Sequence, residues 1–542
     1  MLRYGAPFDE DQRRPGHEER FVTSSGPIAR LALALTAWSE RWIPDAFIFA
    51  LLATFFVLAA AVMATPSTVP EVIDAWGRGF WELIPFTLQM SLIIITGHVL
   101  ATSPPIGRVV RAIASWPRTP RGAVALVTFF TLAASWLNWG FSLVFGAVLA
   151  IEVARRVEDV DYRALASASV LGLGSIWAQG LSGSAALQMA TPGALQPQIR
   201  DIVAAGGIVA GGMISFRHTI FLWQSIASVV IETIVVTTVM WLATPPPGRA
   251  RTARDLGIEL APPASRAEAR SEKLEVRSTD GHLLPRTEND RTQNLRTQNH
   301  RTQNHRTQNR EPEPRTPNAE RRTRLPPGQR LEHSRIVTWL VVALGFTYLA
   351  RYFSQAGDPL SALTLNILNF AFLMVGFLLH GTPARLMRAV QNATPAVWGV
   401  ILQFPFYAGI AGVITGTHLS RQVADVFVRV STPATFPPLV AIYSAVLGVF
   451  VPSGGSKWVI EAPYVMQAAH TLKVHLGWVV SAYDLGEALA NLVQPFWMLP
   501  VLGLFRLSAR DVMGYTMVVF LAMTPVVIIL VTLFGLTLRY PL

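Results

Sequence analysis

Cysteine is absent from this sequence of 542 residues, and charged residues make up only 15% of it. Without cysteine the chain can form no disulfide framework, no thiolate metal site and no cysteine nucleophile. Charge is scarce compared with soluble proteins, in which about a quarter of the residues are charged. Hydrophobic residues make up 51%, with 28 Phe and 15 Trp. We therefore predict an all-α protein that crosses a lipid bilayer several times.

Much of the charge lies in one segment. Residues 244–334 hold 18 of the 45 Lys and Arg and 12 of the 34 Asp and Glu, which is a net +6 of the chain's +11. The motif Arg-Thr-Gln-Asn recurs there at Arg291, Arg296, Arg301 and Arg306. This composition predicts a disordered basic linker on the cytoplasmic side. Because the segment lacks aromatic residues for base stacking, we expect no nucleic-acid partner.

Apolar runs of about 20 residues, long enough to cross a membrane, recur along the rest of the chain. Each run predicts a transmembrane helix, so we expect about nine crossings. They lie near residues 46–64, 83–101, 164–190, 219–243, 360–379, 395–416, 476–500 and 512–536, with a weaker run at 336–353.

Two further apolar stretches, 122–151 and 435–469, are interrupted by small polar residues. The loop at 102–121 contains Arg and no acidic residue, so the positive-inside rule places it in the cytoplasm. With that topology each interrupted stretch enters and leaves on one side, which predicts two re-entrant hairpins that open from opposite faces.

These elements predict five regions. They are a cytoplasmic segment at 1–44 with an interfacial helix at 28–42, a first membrane repeat at 45–243, the linker at 244–334, a connecting helix at 335–358 and a second membrane repeat at 359–542.

The two repeats are related by a constant offset of 314 residues. Identical residues at this offset are Gln89 and Gln403, Gly140 and Gly454, Ser142 and Ser456, and Gly172 and Gly486. The paired elements have opposite predicted orientations. An inverted repeat with interrupted helices is the architecture of many secondary transporters.

The tips of the two hairpins form the predicted substrate site. Where a helix is interrupted, its terminal N–H and C=O groups lack partners, and Gly and Ser let a ligand approach them. The alternative is that these kinks only allow close helix packing. The candidate residues are Asn138, Gly140 and Ser142 at the first tip, Ser453, Gly454, Gly455 and Ser456 at the second, and Gln403, Tyr407, Gln494 and Trp497 beside them.

Few charged residues lie inside the apolar runs. Lys457 and Glu461 are one helical turn apart, which favours a mutual ion pair, although Lys457 could instead attract a substrate carboxylate. Intramembrane acids such as Glu487 are typical of proton or cation pathways. Lys457, Glu461 and Glu487 are therefore the candidates for coupling to a cation.

Two other functions remain open at this point. Gly180-Leu181-Ser182-Gly183 fits the Gly-x-Ser-Gly of intramembrane serine proteases, and a carboxylate-binding channel or sensor would need no coupled transport. The chain contains no HExxH, Walker A or Rossmann motif, so we expect no cofactor other than a coupling Na⁺ or H⁺.

Several motifs resemble the bacterial short-chain fatty acid transporter family of the ion transporter superfamily. They are RWIPD at 41–45, LIIITGH at 92–98, NWG at 138–140, EVARRV at 152–157, QFPFYAGI at 403–410, VPSGG at 451–455, QPFW at 494–497 and RDVMGY at 510–515. Lys457 and Glu461 depart from the pattern, since we expect an uncharged or imidazole residue and an amide there.

The resemblance implies an inverted-repeat fold with two hairpins in the bacterial cytoplasmic (inner) membrane. It also implies uptake of short-chain monocarboxylates, such as butyrate or acetoacetate, by cation-coupled symport. The expected partners are this substrate, a coupling cation and the lipid bilayer. The oligomeric state is open, and a homo-oligomer is one option.

Overall fold

We analysed a computed structural model of the chain, which describes residues 46–260, 326–360, 362–450, 453–494 and 497–542. The predicted segment 1–44 and the Arg-Thr-Gln-Asn repeats lie outside these residues. The described part is helical and contains no strand, so the all-α prediction is confirmed. The described residues fall into two units, a first unit that contains residues 46–260 and the described residues from 335 to 542, and a second unit that contains residues 326–334.

The described residues 46–243 contain ten α-helices. They are α1 (Ala46–Ala64), α2 (Val69–Phe80), α3 (Ile84–Ala101), α4 (Pro104–Ile113), α5 (Pro120–Leu137), α6 (Trp139–Ala154), α7 (Tyr162–Ala168), α8 (Ser184–Ala190), α9 (Pro197–Ala204) and α10 (Trp223–Ala243).

Further helices follow the linker in the described residues. The second unit contains α11 (Pro327–Glu332). The first unit continues with α12 (Arg335–Gln355), α13 (Leu365–His380), α14 (Pro383–Ala393), α15 (Trp398–Gly416), α16 (Leu419–Val430), α17 (Phe436–Phe450), α18 (Gly454–Leu472), α19 (Leu476–Val493), α20 (Leu499–Phe505) and α21 (Ala509–Gly535).

Six of the described helices, α3, α5, α10, α12, α15 and α21, are long and apolar enough to cross a membrane. The prediction of one helix over 164–190 is wrong, because that segment consists of α7, turns, a 3₁₀ turn at Trp177–Gln179 and α8. A Cβ on Gly180 would lie 2.3 Å from the carbonyl oxygen of Trp136, so the irregular backbone packs directly against α5. The count of nine crossings stays a prediction.

Two interrupted pairs of helices fold back on themselves. In the first pair, α5 and α6, the Ser142 hydroxyl donates to the carbonyl oxygen of Thr131 at 3.0 Å. In the second pair, α17 and α18, the Lys457 ammonium donates to the carbonyl oxygen of Ser444 at 2.8 Å. Contacts between residues on either side of each interruption show that both pairs are helical hairpins. Their re-entrant placement in a membrane stays a prediction.

The internal repeat is visible in the helix boundaries. α2 begins at Val69 and α14 at Pro383, while α3 begins at Ile84 and α15 at Trp398, which reproduces the offset of 314. Helices α1 and α2 pack against α15 of the other repeat, and α13 and α14 pack against α3. The two repeats are therefore interlocked by an exchange of equivalent helices.

Four short amphipathic helices, α2, α4, α14 and α16, were not expected from the sequence. The arginines Arg108 and Arg111, which we placed in a loop, lie on α4. At the start of the predicted linker, the backbone N–H of Arg251 donates to Asp161 at 3.0 Å and Ile258 is buried. Residues 244–260 thus belong to the first unit.

Candidate functional site

A cavity of about 420 Å³, part of it open to the outside, lies between the two hairpin tips. The first tip contributes Trp139, and the second contributes Ser453, Gly454 and Gly455. The remaining lining residues are Met90, Ile94, Leu173, Trp177, Ser184, Val400, Phe404, Asn491 and Trp497.

The first tip is built around Asn138, which ends α5 and caps α6. Its backbone is extended, and its Oδ1 accepts a hydrogen bond from the N–H of Phe141 at 2.8 Å. The N–H of Trp139 donates to the Ser182 hydroxyl at 2.9 Å. The tip is therefore fixed to the irregular segment before α8, and the positive N-terminal end of α6 lies at the cavity wall.

The second tip starts α18 with Ser453 as its N-cap. The hydroxyls of Ser453 and Ser456 are 2.6 Å apart and hydrogen-bond to each other, so the Ser453 side chain does not cap the helix. The N–H groups of Gly454 and Gly455 have no acceptor among the described residues. Because both glycines line the cavity, a second positive helix end faces the same space.

Glycine at the second tip allows close packing of the walls. A Cβ on Gly454 would lie 2.8 Å from the ring of Trp177, and one on Gly455 would lie 3.3 Å from the ring of Phe86. The carbonyl oxygen of Gly455 accepts from Gln188 at 2.8 Å. Larger residues here would displace the aromatic wall.

Three tryptophans surround the cavity. The ring centroid of Trp139 lies 5.3 Å from that of Trp497 and 6.5 Å from that of Trp177. The indole Nε1 atoms of Trp139 and Trp177 are buried and have no hydrogen-bond partner among the described residues. Buried donors are normally paired. Trp76, Trp136 and Trp458 also have an unpaired Nε1 and do not line the cavity, so the two lining indoles are candidate donors to a bound acceptor.

The charged residues predicted near the second tip form a cluster behind it, which we call the Lys457 cluster (Lys457, Glu461 and Glu487). The Lys457 ammonium lies 2.7 Å from Glu487 and 3.3 Å from Glu461, and all three side chains are at most 1% exposed. Lys457 also donates to the Ser444 hydroxyl at 2.7 Å. It does not line the cavity, and its charged partners among the described residues are these two carboxylates. The alternative role of Lys457, attraction of a carboxylate ligand, stays a prediction.

Most of the other predicted site residues lie next to the cavity without lining it. Asn138, Gly140, Ser142 and Ser456 lie beside the two tips without lining it. Gln403 and Tyr407 are buried on α15 next to the lining residue Phe404. Gln494 donates to Asn491 at 2.6 Å, and Asn491 lines the cavity.

Sequence reasoning missed Trp139, Trp177, Ser184 and Asn491. Trp139 lies inside the NWG motif, which was the one available signal. No group of three or more His, Asp or Glu that could hold a metal ion occurs in the described residues.

The chain is similar to named proteins over almost its whole length. A profile of the family described as short chain fatty acid transporter matches residues 27–282 and 301–534. A proposed short-chain fatty acid transporter of Escherichia coli (strain K12) is 36% identical over 507 residues, which is 94% of this chain and 100% of the relative. Another, from Haemophilus influenzae (strain ATCC 51907 / DSM 11121 / KW20 / Rd), is 34% identical over 93% of this chain and 99% of the relative.

Two solved transporter structures share the fold. The YdaH transporter of Alcanivorax borkumensis, described as having an unusual topology, has a TM-score of 0.54 at 12% identity, over 90% of this chain and 98% of that chain. MtrF of Neisseria gonorrhoeae, described in connection with antimetabolite efflux pumps, has a TM-score of 0.53 at 12% identity, over 94% and 98%. At this identity the likeness shows the fold alone.

Proposed function

The chain belongs to the short chain fatty acid transporter family, a family of membrane transporters, and on that premise we propose that it takes up short-chain monocarboxylates by cation-coupled symport. The substrates are of the butyrate or acetoacetate type. The membrane is the bacterial cytoplasmic membrane, and the coupling cation is H⁺ or Na⁺.

The observation that supports this proposal most is the meeting of two helix N-termini at one cavity. The starts of α6 and α18 each carry a partial positive charge, which stabilises an anion. Among the described residues no acidic side chain lines the cavity. The unpaired N–H groups of Trp139 and Trp177 add two donors. A carboxylate would satisfy these donors without an arginine or lysine.

The rest of the lining suits a short alkyl chain. Met90, Ile94, Val400 and Phe404 contribute apolar side chains to the lining. Apolar walls with a few polar groups that fix orientation are typical of small-molecule sites. The limited volume favours acids with few carbon atoms, which agrees with the family's described substrate.

The arrangement of the repeats supports alternating access. The cavity lies between the two hairpins, and substrate sites of inverted-repeat transporters lie between their repeats. We infer that the hairpin tips move relative to the surrounding helices and expose the cavity first to one side and then to the other.

Uptake of labelled butyrate into proteoliposomes tests the proposal. We expect accumulation driven by an imposed proton or sodium gradient. Trp139→Phe keeps the ring and removes one N–H donor, so we expect the KM for butyrate to rise about tenfold or more, the effect of losing a hydrogen bond to a charged group. Trp136→Phe is the matched control, because its indole N–H is also buried and unpaired but lies outside the cavity.

Failure of every short monocarboxylate to accumulate under either gradient would refute the transport proposal. Butyrate binding without accumulation would instead favour a channel or sensor. An equal loss of affinity in the Trp136 and Trp139 variants would refute the assignment of the cavity.

A further inference from the structure

A second, smaller cavity lies behind the wall of the substrate cavity and has room for a single water-sized species. We propose that it binds a sodium ion held by Asp484, Gln179, Ser225 and Ser481. The other lining residues are Ala178, Ala186, Thr219 and Ile220.

Two buried oxygen atoms on lining residues have no partner. Asp484 is 2% exposed and Gln179 is 4% exposed, and neither Asp484 Oδ1 nor Gln179 Oε1 has a hydrogen-bond donor among the described residues. The backbone N–H groups of Ala185 and Ala186 reach the Asp484 carboxylate and leave Oδ1 unpaired. The Gln179 amide is oriented by its Nε2, which donates to Glu232 at 2.9 Å. Its oxygen is therefore the free end of the amide. Unpaired buried acceptors require a donor or a cation.

The two hydroxyls in the cavity are also acceptors. Ser225 donates its proton to the carbonyl oxygen of Thr219 at 2.6 Å, and Ser481 donates to that of Gly477 at 3.2 Å. A hydroxyl that has used its proton presents only lone pairs. The site therefore offers one carboxylate, one amide oxygen and two hydroxyl oxygens, a set of hard ligands that suits hard cations.

The charge balance favours a monovalent ion. Asp484 lies one helical turn before Glu487 on α19, but Glu487 already pairs with Lys457. In the described residues no basic side chain forms an ion pair with Asp484. An uncompensated carboxylate in the protein interior is strongly destabilising, and one positive charge would neutralise it. The proposed ligands include one carboxylate, whose charge a single monovalent ion balances.

The position of this cavity connects it to the substrate cavity. Trp177 and Ser184 line the substrate cavity, whereas Gln179 and Ala186 line the second cavity. Residues 177–186, which run from the 3₁₀ turn into the first turn of α8, thus form the partition between them. A sodium ion would hold this segment against α19. Its role in coupling rests on the proposed transport function, whereas binding of the ion does not.

Binding of radioactive sodium to the purified full-length protein in detergent, in choline buffer without carboxylate, tests the proposal. We expect saturable binding by the wild type and at least about tenfold weaker binding by Asp484→Asn, because the only charged ligand is lost. Asp425→Asn is the matched control, since Asp425 is an exposed carboxylate on α16. Its sodium affinity should equal that of the wild type.

The combined variant Ser225→Ala and Ser481→Ala gives an independent test if Asp484→Asn fails to fold. It removes two ligand oxygens and no charge, so we expect a severalfold loss of sodium affinity. Excess unlabelled sodium should displace the label, and potassium should not.

Absence of sodium binding by the wild type would overturn the assignment and leave a water or a protonated Asp484 in the cavity. An unchanged sodium affinity in folded Asp484→Asn, or in the combined Ser225 and Ser481 variant, would also overturn the assignment. Sodium binding without butyrate uptake would contradict the transport function alone. Uptake without sodium binding would contradict this inference alone.

Discussion

Removing the Lys457 ammonium should destabilise the protein more than neutralising the whole Lys457 cluster. In Lys457→Met the side chain keeps its length, but two carboxylates remain buried without a counter-ion. The variant with Lys457→Met, Glu461→Gln and Glu487→Gln removes all three charges together. The comparison separates the cost of an unpaired buried charge from the cost of changed packing.

The magnitude follows from the burial and the contacts of the cluster. The ammonium has Glu487 at 2.7 Å and Glu461 at 3.3 Å, and the three side chains are 0–1% exposed. Breaking a buried ion pair by removing one partner costs about 3–5 kcal/mol, whereas replacing the whole pair by neutral groups is often tolerated. We therefore expect a loss of about 3–5 kcal/mol for the single variant and about 1 kcal/mol for the triple variant.

Thermal inactivation of the purified protein in detergent, monitored by tryptophan fluorescence, compares the stabilities of the single variant, the triple variant and the wild type. Inactivation rates are compared instead of equilibrium free energies, because large membrane proteins commonly unfold irreversibly. Lys473→Met is the control: Lys473 is exposed, and its ammonium lies 4.6 Å from the ring of Tyr540 and forms no ion pair among the described residues, so little change is expected. A triple variant as unstable as Lys457→Met, or a single variant as stable as the wild type, would refute the reasoning.

Two further predictions use the same thermal assay. Gly486→Ala would place a Cβ 2.0 Å from the carbonyl oxygen of Ala441 and should cost about 1–3 kcal/mol, whereas Gly503→Ala, with no atom within 4 Å, should be neutral. Asp161→Ala removes an acceptor for the N–H of Arg251 and for two N–H groups at the start of α7, and should cost about 3 kcal/mol. Hydrogen exchange should then increase in residues 251–260; unchanged exchange would contradict this role.

Long apolar helices were predictable because a membrane-length run of apolar residues has few alternative structures. Helices α10, α12 and α21 begin and end within a few residues of the predicted bounds. The prediction of one transmembrane helix over 164–190 was wrong for a physical reason. A buried irregular segment has the same apolar composition as a transmembrane helix, and only its contacts, such as that of Gly180 with α5, distinguish the two.

The hairpin tips were predictable from small polar residues inside apolar runs, and the offset of 314 paired them. The indole donors of Trp139 and Trp177 were not predictable from the sequence, since tryptophan is frequent throughout it and nothing in the local sequence marks an unpaired N–H. The pairing of Lys457 with Glu487 was missed because the residues are far apart in the chain, whereas Glu461 lies within one helical turn. The sodium site depends on Asp484 and Gln179, which are brought together only by tertiary folding.

The two hairpin tips are held by interactions of unequal strength, which bears on how the transporter moves. The first tip is joined to the segment before α8 by neutral hydrogen bonds, from Trp139 to Ser182 and from Leu181 to Trp136. Each contributes about 0.5–1.5 kcal/mol. The second tip is joined to α19 by the Lys457 cluster, and separating those charges would cost several times more. We therefore expect the second tip and α19 to move as one body during alternating access, and the first tip to be the one that changes its contacts.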